Sequence, residues 1–273
     1  MRKATLEDIR GKLFIPSPTS HKGQNGKLLL VGGSKLFHAA SLWALKVASR
    51  IVDMVYYASV PDNNAIVLAA KKEFHDGIVI RRDQIDAYAA EADCILIGPG
   101  LPRKEGEDEG DDDTKKLTEH LLSTYKQKRW VIDGGSLQVI EPDALPRSAI
   151  ITPHHGEFVK LFGKEGNEEV VGDMAKKYGI VILAKGPTDI VCSPSECKKV
   201  DGGNAGMTKG GTGDVLAGLT AALYCTNDAF LSAIAASIIN KKAGERLFDK
   251  VGYYFNASDL ADEIPRVMGE LIS

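Results

Sequence analysis

A chain of 273 residues, 44% hydrophobic and 26% charged, sits near the globular average, which excludes a disulfide miniprotein and global disorder. Its formal net charge of -3 gives no overall pull toward a nucleic-acid backbone or an anionic membrane, so neither is expected as a partner. No segment approaches the ~18 uninterrupted apolar residues of a membrane span, and MRKATLEDIR lacks a signal peptide's apolar core, so the cytoplasm is the expected location.

Short apolar runs alternate with stretches of helical spacing, the pattern of buried parallel strands joined by crossover helices. That predicts an α/β fold, with one domain over residues 1–273. The first strands are KLLLVG (27–32), MVYYAS (54–59), GIVI (77–80) and CILIG (94–98). Residues 102–116, PRKEGEDEGDDDTKK, are charge-dense and nearly devoid of apolar side chains. They predict a mobile acidic surface loop leading into the helix of LTEHLLSTY. Strands resume at WVID (130–133), AIIT (149–152) and IVILAK (180–185). Several strands end in Gly, Asp, Thr or Lys, and in an open α/β sheet those carboxyl ends form the ligand crevice.

After Lys185 the runs DIVCS and CKKV follow closely around Pro194, which predicts a hairpin at the sheet edge. Cys94, Cys192, Cys197 and Cys225 contain no C-x-x-C pair, so all four are read as reduced, with Cys94 a small core residue. Two helices close the reading. GGTGDVLAGLTAALYC starts with glycines, and NDAFLSAIAASIINKKAGERLF offers Asn227 or Asp228 as a cap; the two are expected to pack together.

The most informative stretch is NAGMTKGGTGDVLAG, residues 204–218. Gly210, Gly211 and Gly213 let the backbone approach a ligand and present N–H groups at a helix start, where the dipole favours phosphate. The stretch is neither a Walker A loop nor a G-x-G-x-x-G fingerprint. Asp214 follows in the first turn. Alone it would be a helix N-terminal acid worth about 0.3–1 kcal/mol. Beside a phosphate cradle, a carboxylate suits phosphoryl transfer to a hydroxyl, because it can take the hydroxyl proton while N–H groups stabilise the moving charge.

GGTGD before an apolar helix resembles the ribokinase-like signature. Together with GKLLLVGGS, IGPGL, ITPHHGEF and LAKGPTDIV in that order, the chain resembles the ADP/ATP-dependent NAD(P)H-hydrate dehydratases over nearly its whole length. The resemblance implies a three-layer α/β/α fold with a central, mostly parallel sheet. It implies nucleotide-dependent dehydration of the (6S) hydrates NADHX and NADPHX, with ADP or ATP as phosphoryl donor and Mg²⁺ on the donor phosphates, held largely through water rather than by protein ligands. It also implies a stand-alone enzyme without the epimerase domain, acting as a homo-oligomer, with a tetramer expected.

By the same resemblance Asp214 is the catalytic acid/base and contacts the hydrated ring, together with Ala39, Gly100 and His154. Lys185, Gly186, Pro187, Thr188, Asp189 and Gly213 are assigned to the nucleotide. Gly210, Gly211 and Thr212 support the cradle. Asn204 either orders its loop or helps position phosphate through a metal-bound water, and Glu157 either holds Mg²⁺ indirectly or caps the following helix. His155 is read as surface. Two departures stand out: His38-Ala39 where the family has Gly-Ala, and Asp133-Gly134-Gly135 where it has Asp-Ala-Asp. The competing readings are a ribokinase-like vitamin kinase acting on a small hydroxymethyl or hydroxyethyl substrate, and a non-catalytic nucleotide sensor.

Overall fold

The structure, a computed structural model, describes residues 2–103 and 113–272. Its strands are β1 (Arg2–Lys3), β2 (Lys27–Val31), β3 (Met54–Ala58), β4 (Ile78–Ile80), β5 (Cys94–Ile97), β6 (Arg129–Ile132), β7 (Ala149–Ile151), β8 (Val181–Ala184), β9 (Asp189–Cys192) and β10 (Cys197–Val200). Its helices are α1 (His38–Ala48), α2 (Pro61–Ala70), α3 (Ile85–Glu91), α4 (Thr114–Thr124), α5 (Gly134–Leu137), α6 (His155–Phe162), α7 (Glu168–Tyr178), α8 (Thr212–Tyr224), α9 (Ala229–Val251) and α10 (Ala257–Ile272).

The strands form one sheet in the order β1-β10-β9-β8-β7-β6-β5-β2-β3-β4. Pairing is parallel except on either side of β9, which runs antiparallel to β8 and β10. From β2 the chain moves outward to β3 and β4, then returns so that β5 lies against β2 and the later strands extend the other way. The sheet therefore reverses direction between β2 and β5, and a crevice opens at the carboxyl ends beside such a switch point.

Strand side chains alternate between two cores, as the pleat requires. Leu28, Leu30, Val55, Tyr57, Leu96 and Val131 face a layer that includes α1, α8, α9 and α10. Leu29, Val31, Ile95, Ile97, Trp130 and Ile132 face the layer of α3, α4, α6 and α7. Helices cover both faces, which is why the central strands read as continuous apolar runs.

Three expectations need correction. Residues 104–112, most of the expected acidic loop, lie outside the described residues, and residues 114–116 belong to α4 instead. Thr114 is buried, and its carbonyl accepts from Thr118 Oγ1 at 2.7 Å, so the helix takes up the end of that polar stretch. The β9–β10 hairpin forms, but β1 pairs with β10 and takes the edge. Cys192 and Cys197 are directly opposite in that hairpin and are joined by a disulfide, so they are not reduced. Their partnership arises from strand register, to which a C-x-x-C search is blind. Cys94 and Cys225 are free and buried. Asp228 rather than Asn227 caps α9, accepting from Leu231 N at 2.9 Å. Helices α8 and α9 pack together as expected. Among the described residues, no helix is long and apolar enough to cross a membrane.

Candidate active site

Helix α8 starts where the chain must pass close to other atoms. Gly211, its N-cap, has φ +96°, a left-handed backbone that suits glycine. A Cβ there would lie 2.3 Å from the Trp43 ring. The Thr212 hydroxyl donates to the Met207 carbonyl at 2.6 Å and closes the preceding loop. The first N–H groups of α8 have no carbonyl a turn earlier within the helix, and the positive end of its dipole lies at the crevice. Asp214 stands in that first turn.

The neighbouring strands bring four charged groups together. Lys185 directly follows β8 and continues its pairing, its N–H donating to Pro153 O at 2.8 Å and its backbone bridged in parallel to His154. Its Nζ lies 2.8 Å from Asp133 Oδ1 and 3.9 Å from Glu157 Oε2. Asp133 Oδ1 also accepts from Thr152 Oγ1 at 2.7 Å. Burial works against the Lys185 charge, yet Asp133 and Glu157 hold the ammonium above its usual value. Burial and repulsion from Asp133, partly offset by Lys185, push the Asp214 carboxyl up to about 7. Burial likewise lifts Glu157 to about 7 against the pull of Lys185. Asp214 and Glu157, both raised to about 7, therefore hold protons near neutral pH.

Glu157 and His154 close the start of α6 as a reciprocal cap. His154 N–H donates to Glu157 Oε2 at 2.9 Å, and Glu157 N–H donates to His154 Nδ1 at 3.2 Å. An accepting Nδ1 puts the neutral ring's proton on Nε2. Burial and the nearby Lys185 charge lower the His154 pKa, which favours that neutral form. Of the two readings left open for Glu157, this geometry supports the cap.

Two cavities meet above the cluster. One, of about 600 Å³, is lined by Lys185, Gly186, Pro187, Asn204, Gly213, Leu216 and Asn240 among others. The second, of about 660 Å³, is lined by residues following β2, β5 and β6, including Phe37, Ala39, Trp43, Gly100 and Asp133, together with Asp214. His154, Lys185, Thr208 and Gly213 border both.

The residues expected to contact substrate, Ala39, Gly100, His154 and Asp214, all line the second cavity. Those expected at the nucleotide line the first, with one exception. Thr188 borders neither cavity; its hydroxyl donates to Asp201 Oδ1 at 2.7 Å on the surface, because the turn aims it outward. Asp189 reaches the first cavity's wall, but its buried carboxylate is engaged by Ser237 Oγ at 2.6 Å and Gly186 N at 2.9 Å. It shapes the turn. Gly100 is small for a backbone reason: with φ +73°, its Cβ would lie 2.4 Å from Phe37 O. Asn204 orders its loop, accepting from Gly206 N at 2.9 Å and donating to Gly244 O at 2.8 Å. Glu157, Gly210 and Gly211 border the second cavity, Thr212 the first.

Three residues escaped the sequence reading. Asp133, which the sequence reading gives no role, anchors Lys185. Lys241 and Asn240 lie on the buried face of α9 and border the first cavity. Lys241 Nζ donates to Gly186 O at 3.1 Å, Pro187 O at 2.9 Å and Gly202 O at 3.4 Å, tying together two loops of that cavity. The signal available was a polar pair interrupting an otherwise apolar helix stripe.

No group of three or more His, Cys, Asp or Glu side chains among the described residues is arranged to hold a metal ion. Asp133 is committed to Lys185 and Thr152, and Glu157 to its cap. A Mg²⁺ carried on nucleotide phosphates would fit beside Asp133 and Asp214 without needing a protein cage.

A family model described as NAD(P)H-hydrate dehydratase matches residues 28–266. The chain is similar to an ADP-dependent (S)-NAD(P)H-hydrate dehydratase of Cenarchaeum symbiosum, at 34% identity with 96% of this chain and 95% of that protein covered. It is also similar to a bifunctional NAD(P)H-hydrate repair enzyme of Methanocaldococcus jannaschii, at 37% identity over 91% of this chain and 49% of that protein. The chain thus spans about half the length of the bifunctional relatives it matches. Among solved structures, an ADP/ATP-dependent NAD(P)H-hydrate dehydratase from Bacillus subtilis, co-crystallized with ATP/Mg²⁺, superposes with a TM-score of 0.83 at 24% identity, covering 99% of this chain and 98% of the other. That likeness shows the fold, the expected ribokinase-like arrangement. Model, relatives and fold agree: the chain belongs to the NAD(P)H-hydrate dehydratase family.

Proposed function

We propose that this protein repairs hydrated nicotinamide cofactors, converting (6S)-NADHX and (6S)-NADPHX to NADH and NADPH at the expense of ADP or ATP. The observation that carries the reading is the position of Asp214. It lies on the second cavity's side of a phosphate-cradling helix start, where Lys185 and Gly213 join the two cavities. Donor phosphate in the first cavity and substrate hydroxyl in the second would meet beside that carboxylate.

Hydroxide is a poor leaving group, and phosphorylation makes it a good one. Asp214 accepts the C6 hydroxyl proton as the hydroxyl oxygen bonds to the terminal phosphorus of the donor, whose bridging P–O bond breaks. Lys185 and the α8 N–H groups stabilise the transferring charge. Mg²⁺ supplies charge neutralisation on the donor phosphates when bound. The C6–O bond then breaks, the ring nitrogen lone pair expelling phosphate, and loss of a proton from the adjacent carbon restores the dihydropyridine.

ADP is the preferred donor in this proposal, supported by the name of the full-length archaeal relative. Residues 1–273 act as a single catalytic domain, in the cytoplasm and as a homo-oligomer, with a tetramer expected from the family resemblance. Product analysis tests the chemistry. Stoichiometric AMP and inorganic phosphate with ADP as donor support the dehydratase; a stable phosphorylated substrate would make it a kinase of small alcohols instead.

A further inference from the structure

The turn that follows β2 rests on a buried chain of hydrogen bonds. Tyr57 on β3, Ser41 on α1 and Asn63 on α2 are all fully buried. Ser41 Oγ and Tyr57 OH lie 2.7 Å apart, and Asn63 Nδ2 donates to Tyr57 OH and, at 2.9 Å, to Ser59 Oγ. A carboxamide nitrogen only donates. The Tyr57 hydroxyl, accepting from Asn63, therefore gives its own proton to Ser41, and the Ser41 hydroxyl donates in turn to the His38 carbonyl at 3.4 Å. The chain of donors runs from α2 across β3 into the first turn of α1.

Two walls of the second cavity stand on this chain. His38, Ala39 and Ala40, in the first turn of α1, line the cavity directly. The other wall is reached through Gly33, whose φ of +72° suits glycine. A Cβ on Gly33 would overlap Asn63 Nδ2 and lie 2.6 Å from Ser41 Oγ and 2.9 Å from Tyr57 OH, so the three polar atoms press on the glycine backbone with no room between. Gly33 N–H donates to Pro99 O at 2.7 Å, and its Cα lies 3.1 Å from where a Cβ of Gly100 would stand. Gly100 lines the second cavity. None of these residues lines the first cavity, whose walls come largely from the loops after β8 and β10 and from α8 and α9.

Desolvating such groups offsets most of what their hydrogen bonds return, so the network adds little net stability, but it fixes one arrangement of the segments it joins. We propose that Tyr57 is a positioning residue for the reaction: through Ser41 and Gly33 its hydroxyl sets the placement of the β2–α1 turn and of Gly100, and so the seat of the hydrated ring beside Asp214. This inference rests on the dehydratase reading above. Tyr57 itself touches neither substrate nor nucleotide.

The test is kinetic and separates the two cavities. Tyr57→Phe and Ser41→Ala each delete one hydroxyl and leave every partner another hydrogen bond, Ser41 to His38, Asn63 to Ser59 or Tyr57 to Asn63, so both variants should fold. In each, kcat/KM for (6S)-NADHX should fall by roughly tenfold, because small misplacements of a reacting group are costly, while KM for ADP at saturating NADHX stays within about twofold of the parent. The double variant should be little worse than either single one, since both changes break the Tyr57–Ser41 bond. Losses that multiply in the double variant, an equal rise in KM for ADP, unchanged kinetics, or failure of both single variants to fold would each overturn the proposal. A folded parent that forms no NADH with either nucleotide would overturn the dehydratase reading, and this inference with it.

Discussion

Lys185 Nζ lies 2.8 Å from Asp133 Oδ1 at the junction of the two cavities, with Glu157 Oε2 3.9 Å away on the other side. Burial raises the Asp214 pKa most, Asp133 raises it further and Lys185 lowers it, so that the ion pair adjusts a carboxyl that stands at about 7.

Asp214→Asn keeps the shape of the helix start and removes the base. A general base typically contributes ~10²–10⁴-fold, so kcat should fall by about that factor while ADP affinity holds or improves. A residue that merely supported the helix terminus would tolerate Asn with near-normal turnover. Steady-state kinetics and calorimetric ADP binding on one preparation distinguish the two.

The same substitution should stabilise the protein at alkaline pH. A carboxyl whose folded pKa is about 7, raised from 3.8, binds its proton more tightly in the folded state. Its contribution becomes increasingly unfavourable as pH rises from about 4 to 7 and is fully unfavourable above that. Thermal melts should therefore show the Asp214→Asn variant equal to the parent at pH ~3.5 and more stable at pH ~8. A lower melting temperature at pH ~8 would contradict the assigned shift.

The active base is the carboxylate, so kcat/KM should rise with pH through about 7 before levelling. Asp133→Asn removes a repelling charge and releases Lys185 toward Asp214, both of which favour the ionised form. The acid limb should move to lower pH. A limb that stays in place in pH–rate profiles of parent and variant would remove Asp133 from this role.

Lys185→Met leaves Asp133, 2% exposed, buried without its cation. Breaking such a pair costs about 3 kcal/mol or more, whereas replacing both partners by neutral groups costs less. Denaturant unfolding should show Lys185→Met strongly destabilised and the double variant Lys185→Met with Asp133→Asn partly restored. Turnover should be low in both, since neither retains the ammonium beside the phosphate path.

The frame of this site is legible in the chain for a definite physical reason. Strands covered on both faces must be apolar throughout, so KLLLVG, CILIG and WVID declare themselves, and the polar residues at their carboxyl ends mark the crevice. The glycine-rich start of α8 is legible too, because a left-handed Gly211 packed against the Trp43 ring leaves no room for a side chain. Lys241 and Asn240 are less so, since the polar pair that marks them is a brief interruption in an Ala-rich helix stripe. Thr188 shows a second limit: a motif locates a turn, but only the three-dimensional path decides which side chains face the cavity. The Cys192–Cys197 bond depends on hairpin register in the same way.

Regeneration of a reduced nicotinamide cofactor from its hydrate is the central claim for this site. Purified protein incubated with (6S)-NADHX, Mg²⁺ and either ADP or ATP, followed by the absorbance of NADH, tests it most directly. The expected result is NADH formation that requires nucleotide, proceeds with higher kcat/KM for ADP, and is lost in Asp214→Asn. Folded parent protein that yields no NADH with either nucleotide would contradict it.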